Sequence, residues 1–143
     1  MKTEVYKAMY EQEDSFWWHR GMQKITSIFL HLYASREPHL KILDVGCGTG
    51  GMFRTLSMFG EVYGTDISME AVNFARTREL AKVVIEAPLN ALPFEDNFFD
   101  VVTCFDVLYH GWVGDPQSAL KEMHRVLKKG GLFVCKEASY DWL

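Results

Sequence analysis

The glycine-rich stretch "KILDVGCGTGG" contains the residues best suited to hold a small charged ligand. Closely spaced glycines let a backbone adopt positive φ angles and come close to a ligand. The G-x-G-x-x-G pattern of dinucleotide-binding loops is matched by Gly46, Gly48 and Gly51. A second pattern, G-x-G-x-G, is matched by Gly46, Gly48 and Gly50. Asp44 lies two residues before the first of these glycines. The pattern therefore predicts a ligand-binding turn with a carboxylate beside it.

The carboxylate of Asp44 favours one class of ligand over another. It would repel a pyrophosphate bound at the start of the following helix, and it would attract an ammonium group. S-adenosylmethionine carries an ammonium and a sulfonium and has no phosphate. Asp66, at the end of the next apolar run, can accept hydrogen bonds from ribose hydroxyls with either ligand. We therefore predict S-adenosylmethionine as the cofactor, with an NAD-dependent oxidoreductase as the weaker alternative.

From Leu40 onward the chain alternates short apolar runs with helical patterns. This alternation predicts a parallel sheet with right-handed crossovers, whose ligands bind beyond the carboxyl ends of the strands. The predicted helices are "GMFRTLSMFG", closed by Gly60, "MEAVNFARTREL", capped by Ser68, and a third that begins at Asp115 and Pro116. The predicted strands are "LKILDVG", "EVYGTDI", "KVVIEA", "FFDVVTCFDVLY" and "GLFVCKEA".

Residues 1–37 are predicted to form a helical lid in front of a binding core at residues 38–143. One helix face is indicated by apolar residues at spacings of three and four: Trp18, Met22, Ile25, Phe29 and Leu32. Trp18 belongs to this stripe and is predicted to pack. Trp17 lies off the stripe and is predicted to flank the cofactor or substrate, because an aromatic face attracts a sulfonium.

The composition limits the other possible functions. A chain of 143 residues, 48% of them hydrophobic and 24% charged, is typical of one globular domain. A net charge of −4 and scattered basic residues argue against nucleic acid. No apolar run approaches the roughly 20 residues of a membrane span, and no membrane partner is predicted. Three cysteines without a C-x-x-C motif predict no metal site and favour a reducing, cytoplasmic setting.

Four stretches resemble the successive motifs of class I S-adenosylmethionine-dependent methyltransferases: "ILDVGCGTG", "VYGTDIS", "ALPFEDNFFDVVTCFDVLYH" and "ALKEMHRVLKKGGLFV". They are most similar to the small-molecule enzymes typified by those of ubiquinone biosynthesis. The resemblance covers residues 40–137. It implies a Rossmann-like, doubly wound α/β fold, with five parallel strands in the order 3-2-1-4-5. "DSFWWHRGMQKI" also resembles the leading helix of some bacterial members, which folds over the cofactor.

The resemblance also implies roles for individual residues. The methionine end of the cofactor would lie at Asp44 and the glycine turn, with Phe105 and Asp106 beside it. Asp66 would bind the ribose. The remaining cofactor-binding positions that it implies are Gly46, Cys47, Gly48, Gly50, Ile67, Leu89 and Asn90, of which Ile67, Leu89 and Asn90 would meet the adenine. The acceptor would be a small molecule. No catalytic residue is assigned, and the candidates for a base are Asp106, Tyr109 and His110.

The sequence departs from the family pattern at two places. Pro88 stands where members usually have an aspartate that accepts the adenine amine, which leaves Glu86 or Asn90 as substitutes. The sequence also ends before the last two strands of the family sheet, so we expect a fragment, a truncated natural product or an unusually reduced member. The alternative function is then a non-catalytic S-adenosylmethionine-binding module. An unpaired fifth strand predicts a homodimer through its edge, anchored by Tyr140 and Trp142, unless the tail folds back over that edge.

Overall fold

The computed structural model describes residues 3–137, apart from the side chain of Trp112. Five helices, five strands and one short 3-10 helix follow one another in these residues. The N-terminal helices are α1 (Thr3–Gln12) and α2 (Trp17–Tyr33). The remainder, in chain order, is β1 (Leu40–Val45), α3 (Phe53–Ser57), β2 (Gly60–Asp66), α4 (Met69–Thr77), β3 (Val83–Glu86), β4 (Phe99–Phe105), the 3-10 helix (Gly111–Val113), α5 (Pro116–Val126) and β5 (Leu127–Lys136).

The five strands form one parallel sheet in the order β3-β2-β1-β4-β5. This confirms the predicted doubly wound fold and its strand order. The central strand β1 pairs with β2 on one side and with β4 on the other, so that Asp44 lies between Gly64 and Thr103. The carboxyl ends of β1, β2 and β4 therefore meet at one edge of the sheet, where the glycine turn begins.

Hydrophobic side chains cover both faces of the sheet. Leu43 and Val102 pack with α5 on one face, whereas Ile42 and Val101 pack with α3, α4 and Leu30 of α2 on the other. Strand β1 is buried on both faces, which explains its nearly continuous apolar sequence. The helices on the two faces thereby fix the loops that leave the carboxyl edge.

Two helix starts form as the sequence predicts. The hydroxyl of Ser68 accepts a hydrogen bond from the Ala71 amide at the start of α4. The carboxylate of Asp115 accepts one from the Gln117 amide, with Pro116 at the first position of α5. Both arrangements satisfy amides that have no partner within the helix.

Several element boundaries differ from the prediction. The helix predicted over residues 51–60 is limited to α3, and Gly60 belongs to β2 instead of closing a helix. A Cβ atom on Gly60 would lie 2.3 Å from the Leu40 carbonyl oxygen, so glycine permits the close pairing of β1 and β2. Strand β5 begins at Leu127, four residues earlier than predicted, because the "KKGG" segment forms an irregularity within the strand.

The N-terminal region contains two helices, and the predicted apolar stripe is not the face that α2 buries. On α2 the buried residues are Thr26 and Leu30. Ile25, Phe29 and Leu32 of the predicted stripe are exposed. Within the described residues, none of the helices is long and apolar enough to cross a membrane.

Candidate cofactor site at the glycine turn

A cleft of about 800 Å³ opens at the carboxyl edge of the sheet. Its walls come from α1, α2, the glycine turn, the end of β2 and the loop after β4. The volume lies within the range of small-molecule sites, and the wall combines aromatic and methionine side chains with a few carboxylates. This is the place where parallel sheets bind their ligands.

The glycine turn depends on positive φ angles that glycine adopts without strain. These angles are +70° at Gly46, +54° at Gly48 and +81° at Gly50. A Cβ atom on Gly46 would lie 2.5 Å from a methyl group of Val107, so this glycine lets the loop after β4 come close. The Cys47 amide donates to the Thr65 carbonyl at 2.9 Å, which ties the turn to β2.

Asp44 is a buried carboxylate at the end of β1, with 3% of its surface exposed. One of its oxygens accepts a hydrogen bond from the hydroxyl of Thr103 at 2.7 Å. Burial raises the pKa of Asp44 to about 7, even though the Thr103 hydroxyl favours the charged form. The charges of Asp66 and Glu13 raise this pKa further. A cationic ligand in the cleft would therefore favour ionisation of Asp44.

Asp66 connects the glycine turn to the start of α4. One carboxylate oxygen accepts from the Gly48 amide at 2.9 Å, and the other accepts from the Ser68 amide at 2.9 Å. A carboxylate has about four acceptor positions, so further hydrogen bonds to a ligand are compatible with these two. Asp66 and its neighbour Ile67 both line the cleft, as the sequence predicts.

Glu13, just after α1, is a third carboxylate at the turn, and the sequence analysis does not identify it. It is 6% exposed and accepts from the Thr49 hydroxyl at 2.6 Å and from the Arg78 guanidinium at 2.7 Å. Burial raises the pKa of Glu13 despite these partners. A Cβ atom on Gly51 would lie 2.6 Å from the carboxyl carbon of Glu13. The third glycine of the dinucleotide pattern thus makes room for an acidic side chain.

Two further side chains hold the turn from outside. Gln23 of α2 donates to the Gly51 carbonyl at 2.9 Å and to the Glu13 carbonyl at 3.2 Å. Arg78, which follows α4, donates to the Thr49 carbonyl at 2.7 Å. The turn is therefore held by groups that follow or belong to α1, α2 and α4. No sequence motif indicates these contacts, because the partners are far apart along the chain.

The loop after β4 supplies the opposite wall. Phe105, Asp106, Tyr109 and His110 line the cleft, as the sequence predicts. The ammonium of Lys136 contacts both carboxylate oxygens of Asp106, at 2.6 and 2.5 Å. Because the Lys136 ammonium occupies both carboxylate oxygens, Asp106 is less suited to accept a proton from a substrate than the sequence suggested.

Neither tryptophan lies where the sequence predicts it. Trp18 lines the cleft, and its ring lies 4.8 Å from the ammonium of Lys136. Trp17 is 71% exposed and borders a different groove, between α2 and α3. The apolar stripe used for the prediction faces the cleft at Trp18 and solvent farther along the helix, so membership of the stripe did not indicate burial.

Three predicted cofactor-binding residues are not among the described residues that line the cleft. The side chain of Leu89 packs into the core on the α5 face. Asn90 is exposed in a turn of the same loop. Gly50 lies against the ring of Phe53, where a Cβ atom would come within 2.8 Å of a ring carbon. Gly50 therefore supports the turn from behind, whereas Gly46, Cys47 and Gly48 contribute directly to the wall.

Comparisons with known proteins agree with this geometry. Residues 43–135 match a family described as methyltransferase domain. The chain is 35% identical over 130 residues to the ubiquinone/menaquinone biosynthesis C-methyltransferase UbiE of Burkholderia orbicola, covering 85% of this chain and 53% of that protein. It is 34% identical over 122 residues to cycloartenol-C-24-methyltransferase 1 of Oryza sativa, covering 80% of this chain and 34% of that protein. The chain thus spans about half or less of these relatives.

Solved structures share the fold. A protein from Pyrococcus horikoshii superimposes with a TM-score of 0.76 at 26% identity, covering 99% of this chain and 64% of that one. A second protein, from Methanococcus maripaludis, gives a TM-score of 0.80 at 18% identity, covering 96% of this chain and 64% of that one. At the latter identity the likeness concerns the fold alone.

Proposed function

Because the chain belongs to the methyltransferase domain family, we propose that it binds S-adenosylmethionine over the glycine turn and transfers the methyl group to a small molecule. The observation that carries this proposal is the buried carboxylate of Asp44 beside the turn, together with Asp66 and Glu13. Asp66 and the ionised form of Asp44 give the cleft a negative potential, whereas the charge of Glu13 is paired with Arg78. Such a potential attracts the ammonium and sulfonium of this cofactor.

The same carboxylates argue against a dinucleotide. A pyrophosphate would have to approach Asp44, which is buried where charges are weakly screened. Gly51 accommodates the side chain of Glu13, so it serves a different purpose from the third glycine of a dinucleotide loop. The NAD-dependent alternative therefore finds no support at this turn.

We assign the following roles at the site. Asp44 would face the ammonium group, Asp66 the ribose hydroxyls and Ile67 the adenine. S-adenosylmethionine, when bound, supplies a methyl carbon already activated by a positively charged sulfur. The chain has to orient that carbon and exclude water, and Trp18 and Phe105 supply apolar surface for both purposes. The helices in residues 1–37 then act as the lid over a core at residues 38–143.

The acceptor would enter beside the loop after β4. Tyr109 and His110 line that side of the cleft, with their rings 4.3 Å apart. We favour these residues over Asp106 as the proton acceptor for an oxygen or nitrogen nucleophile, because Lys136 already pairs with Asp106. The two relatives are named for methylation of carbon. A carbon nucleophile would not need this base to remove a proton from oxygen or nitrogen.

Calorimetry with S-adenosylhomocysteine, S-adenosylmethionine and NAD tests the binding proposal. We expect both adenosyl ligands to bind and NAD to give no heat; the opposite pattern contradicts the proposal. Formation of S-adenosylhomocysteine from labelled S-adenosylmethionine with a panel of phenolic, quinol and sterol acceptors then tests transfer. Binding without transfer to any acceptor would favour the alternative of a non-catalytic binding module.

We also propose a cytoplasmic location and a homodimer formed through β5. Reduced cysteines support the first, since Cys47, Cys104 and Cys135 are free thiols. The position of β5 at the edge of the described sheet supports the second. The anchors expected from the sequence, Tyr140 and Trp142, lie outside the described residues.

A further inference from the structure

The outer side of α2 combines exposed apolar residues with a basic residue in a regular arrangement. Trp17, Lys24 and Ile28 recur at spacings of seven and four, so they share one stripe of the helix. That stripe lies opposite the buried residue Thr26. Trp17 is 71% exposed, and Met58, just after α3, is 68% exposed and borders the same groove. The exposed apolar surface of Trp17 and Met58 on one groove indicates an interaction site.

The segments that build this surface lack acidic residues. Residues 15–36 include α2 and residues 45–60 include α3, and neither segment contains an Asp or Glu, although the chain has 19. Both segments contain basic residues, among them Arg20, Lys24 and Arg54, which are exposed. Within the described part of the chain, none of these three forms an ion pair. The surface is therefore positively charged on a chain that is negative as a whole.

We propose that this outer α2 surface, formed by Trp17, Arg20, Lys24, Ile28 and Met58, docks the chain on an anionic lipid bilayer. A helix that lies in a membrane interface combines basic residues with apolar and aromatic side chains that enter the boundary of the acyl chains. Tryptophan is favoured at this depth because its ring is amphipathic. This inference departs from the expectation from the sequence that the chain has no membrane partner.

The opposite side of α2 faces the cleft. Trp18 and Met22 line the candidate cofactor site, whereas Trp17 and Lys24 border the shallow groove of about 560 Å³ on the outside. A single helix therefore separates the proposed lipid surface from the cleft. Docking through this surface brings the N-terminal side of the cleft close to the bilayer without covering the glycine turn.

The charge of the surface favours a bilayer over two other partners. A second copy docked through the same surface would bring the basic residues of the two copies together, which costs free energy. A nucleic acid would pair with Arg20 and Lys24, but its phosphates would leave Trp17 and Ile28 exposed to water. An anionic bilayer satisfies both the charged and the apolar residues.

Co-sedimentation with vesicles tests the proposal. We expect the chain to bind vesicles of phosphatidylcholine mixed with phosphatidylglycerol and to bind pure phosphatidylcholine weakly. Binding should weaken as salt is added, because salt screens the charges. Lys24→Glu changes the charge by two units, so we expect the partition coefficient to fall by about 25-fold, at about fivefold per unit. Trp17→Ala should lower it by about tenfold, through loss of apolar contact.

Matched controls come from α5. Leu120 is 40% exposed and Lys121 is exposed, and neither belongs to the outer α2 surface. Leu120→Ala and Lys121→Glu should leave vesicle binding within about twofold of the original chain, since they lie far from the lipid. Circular dichroism of each variant establishes that it is folded. S-adenosylhomocysteine affinity should be unchanged in Lys24→Glu, which keeps this test separate from that of the cofactor site.

Three results would overturn the proposal. The first is the absence of binding to anionic vesicles by the folded chain. The second is an equal loss of binding in the α2 and α5 variants. The third is that Trp17→Ala or Lys24→Glu alters self-association, measured by light scattering, or RNA binding, measured by filter binding, and leaves vesicle binding unaffected.

Discussion

At the scale of single residues, the carboxylates at the glycine turn combine structural and binding roles. Asp66 accepts hydrogen bonds from the Gly48 and Ser68 amides and also lines the cleft. The sequence predicts only a ligand-binding role for Asp66. The contacts mean that removing its charge changes both the turn and the ribose site.

We predict that Asp66→Asn weakens S-adenosylhomocysteine binding at least about tenfold, because hydrogen bonds to a charged acceptor contribute roughly 1.5–3 kcal/mol each. An amide can replace only one of the two acceptor oxygens, so the melting temperature should also fall by a few degrees. Glu70→Gln, on a partly exposed residue of α4, serves as the control. Unchanged affinity in folded Asp66→Asn would show that the ribose lies elsewhere.

A second prediction concerns the pH dependence of binding. The pKa of Asp44 is raised to about 7 by burial, and a cationic ligand favours its charged form. Affinity for S-adenosylhomocysteine should therefore fall roughly tenfold for each pH unit below about 7. Calorimetry between pH 5.5 and pH 8, in buffers of different ionisation enthalpy, should also detect release of a proton on binding at about pH 6.

The variant Asp44→Asn provides the control for this pH dependence. It should bind weakly with no steep dependence between about pH 5.5 and pH 7. Without a ligand, the stability of the fold depends on pH in the opposite direction to ligand affinity. The folded state holds the Asp44 proton more tightly than the unfolded state does, so the free energy of unfolding falls as the pH rises from about 4 to about 7. Asp44→Asn should lack this decrease in urea titrations. Equal slopes in the two proteins would contradict a raised pKa.

Site residues were predictable from the sequence where their partners are close along the chain, and they were missed where their partners are distant along it. Asp44 and the glycines form one short stretch, and a local pattern was sufficient to identify them. Glu13 contacts Thr49 across 36 positions of sequence, and no short pattern encodes that contact. Leu89 was placed at the cofactor by resemblance, but its side chain packs into the core.

At the scale of elements, the end of α1 is fixed to the glycine turn by a buried ion pair. The side chains of Glu13 and Arg78 are 7% and 6% exposed, and their charged atoms lie 2.7 Å apart. Arg78 also contacts Asp14 at 3.3 Å, but that side chain is 53% exposed. The two acids therefore offer a matched comparison of a buried and an exposed partner of one guanidinium.

We predict that Glu13→Gln destabilises the chain by about 3 kcal/mol, because it leaves the buried charge of Arg78 without its main partner. Asp14→Asn should cost less than about 1 kcal/mol, since exposed ion pairs contribute little. Urea denaturation measures both values. Because Glu13 holds Thr49 of the turn, Glu13→Gln should also weaken S-adenosylhomocysteine binding. Equal stabilities of the two variants would show that the buried pair does not fix α1.

Helix starts were easier to predict than helix and strand ends. Ser68 and Asp115 cap the helices at which the sequence placed them, because a cap depends on residues close in sequence. The break between α1 and α2 lies in residues 13–16, which contain neither glycine nor proline. Tertiary contacts of Glu13 and Gln23 fix this break. The helical periodicity of the sequence does not indicate these contacts.

At the scale of the whole molecule, the strand order was predictable because the alternation of strand and helix permits few topologies. Whether another chain pairs with the edge of the sheet is not predictable in the same way. Strand β5 has a described neighbour on one side only, and Phe133 on it is 37% exposed. Local patterns cannot tell which surface covers such an edge, since the partner need not be near in sequence.

We predict that the chain self-associates through β5, so that light scattering over a concentration series gives a mass between monomer and dimer. Phe133→Lys should shift the equilibrium toward monomer by at least about tenfold, because it places a charge at the interface. Leu120→Lys on α5 should have no effect. A strictly monomeric chain at all concentrations, with Phe133→Lys and Trp142→Ser unchanged, would contradict pairing through this edge.

The position of β1 between β2 and β4 has a consequence for synthesis on the ribosome. Strand β2 follows β1 closely, whereas β4 supplies the Thr103 and Asp100 contacts to β1 from 59 positions away. The emerging chain can therefore pair β1 with β2 early, but one side of its most buried strand stays open until β4 has left the exit tunnel. Nascent chains arrested before residue 99 should be cut by protease within residues 40–45, and chains extended by a C-terminal linker that lets residue 137 leave the tunnel should resist cleavage there.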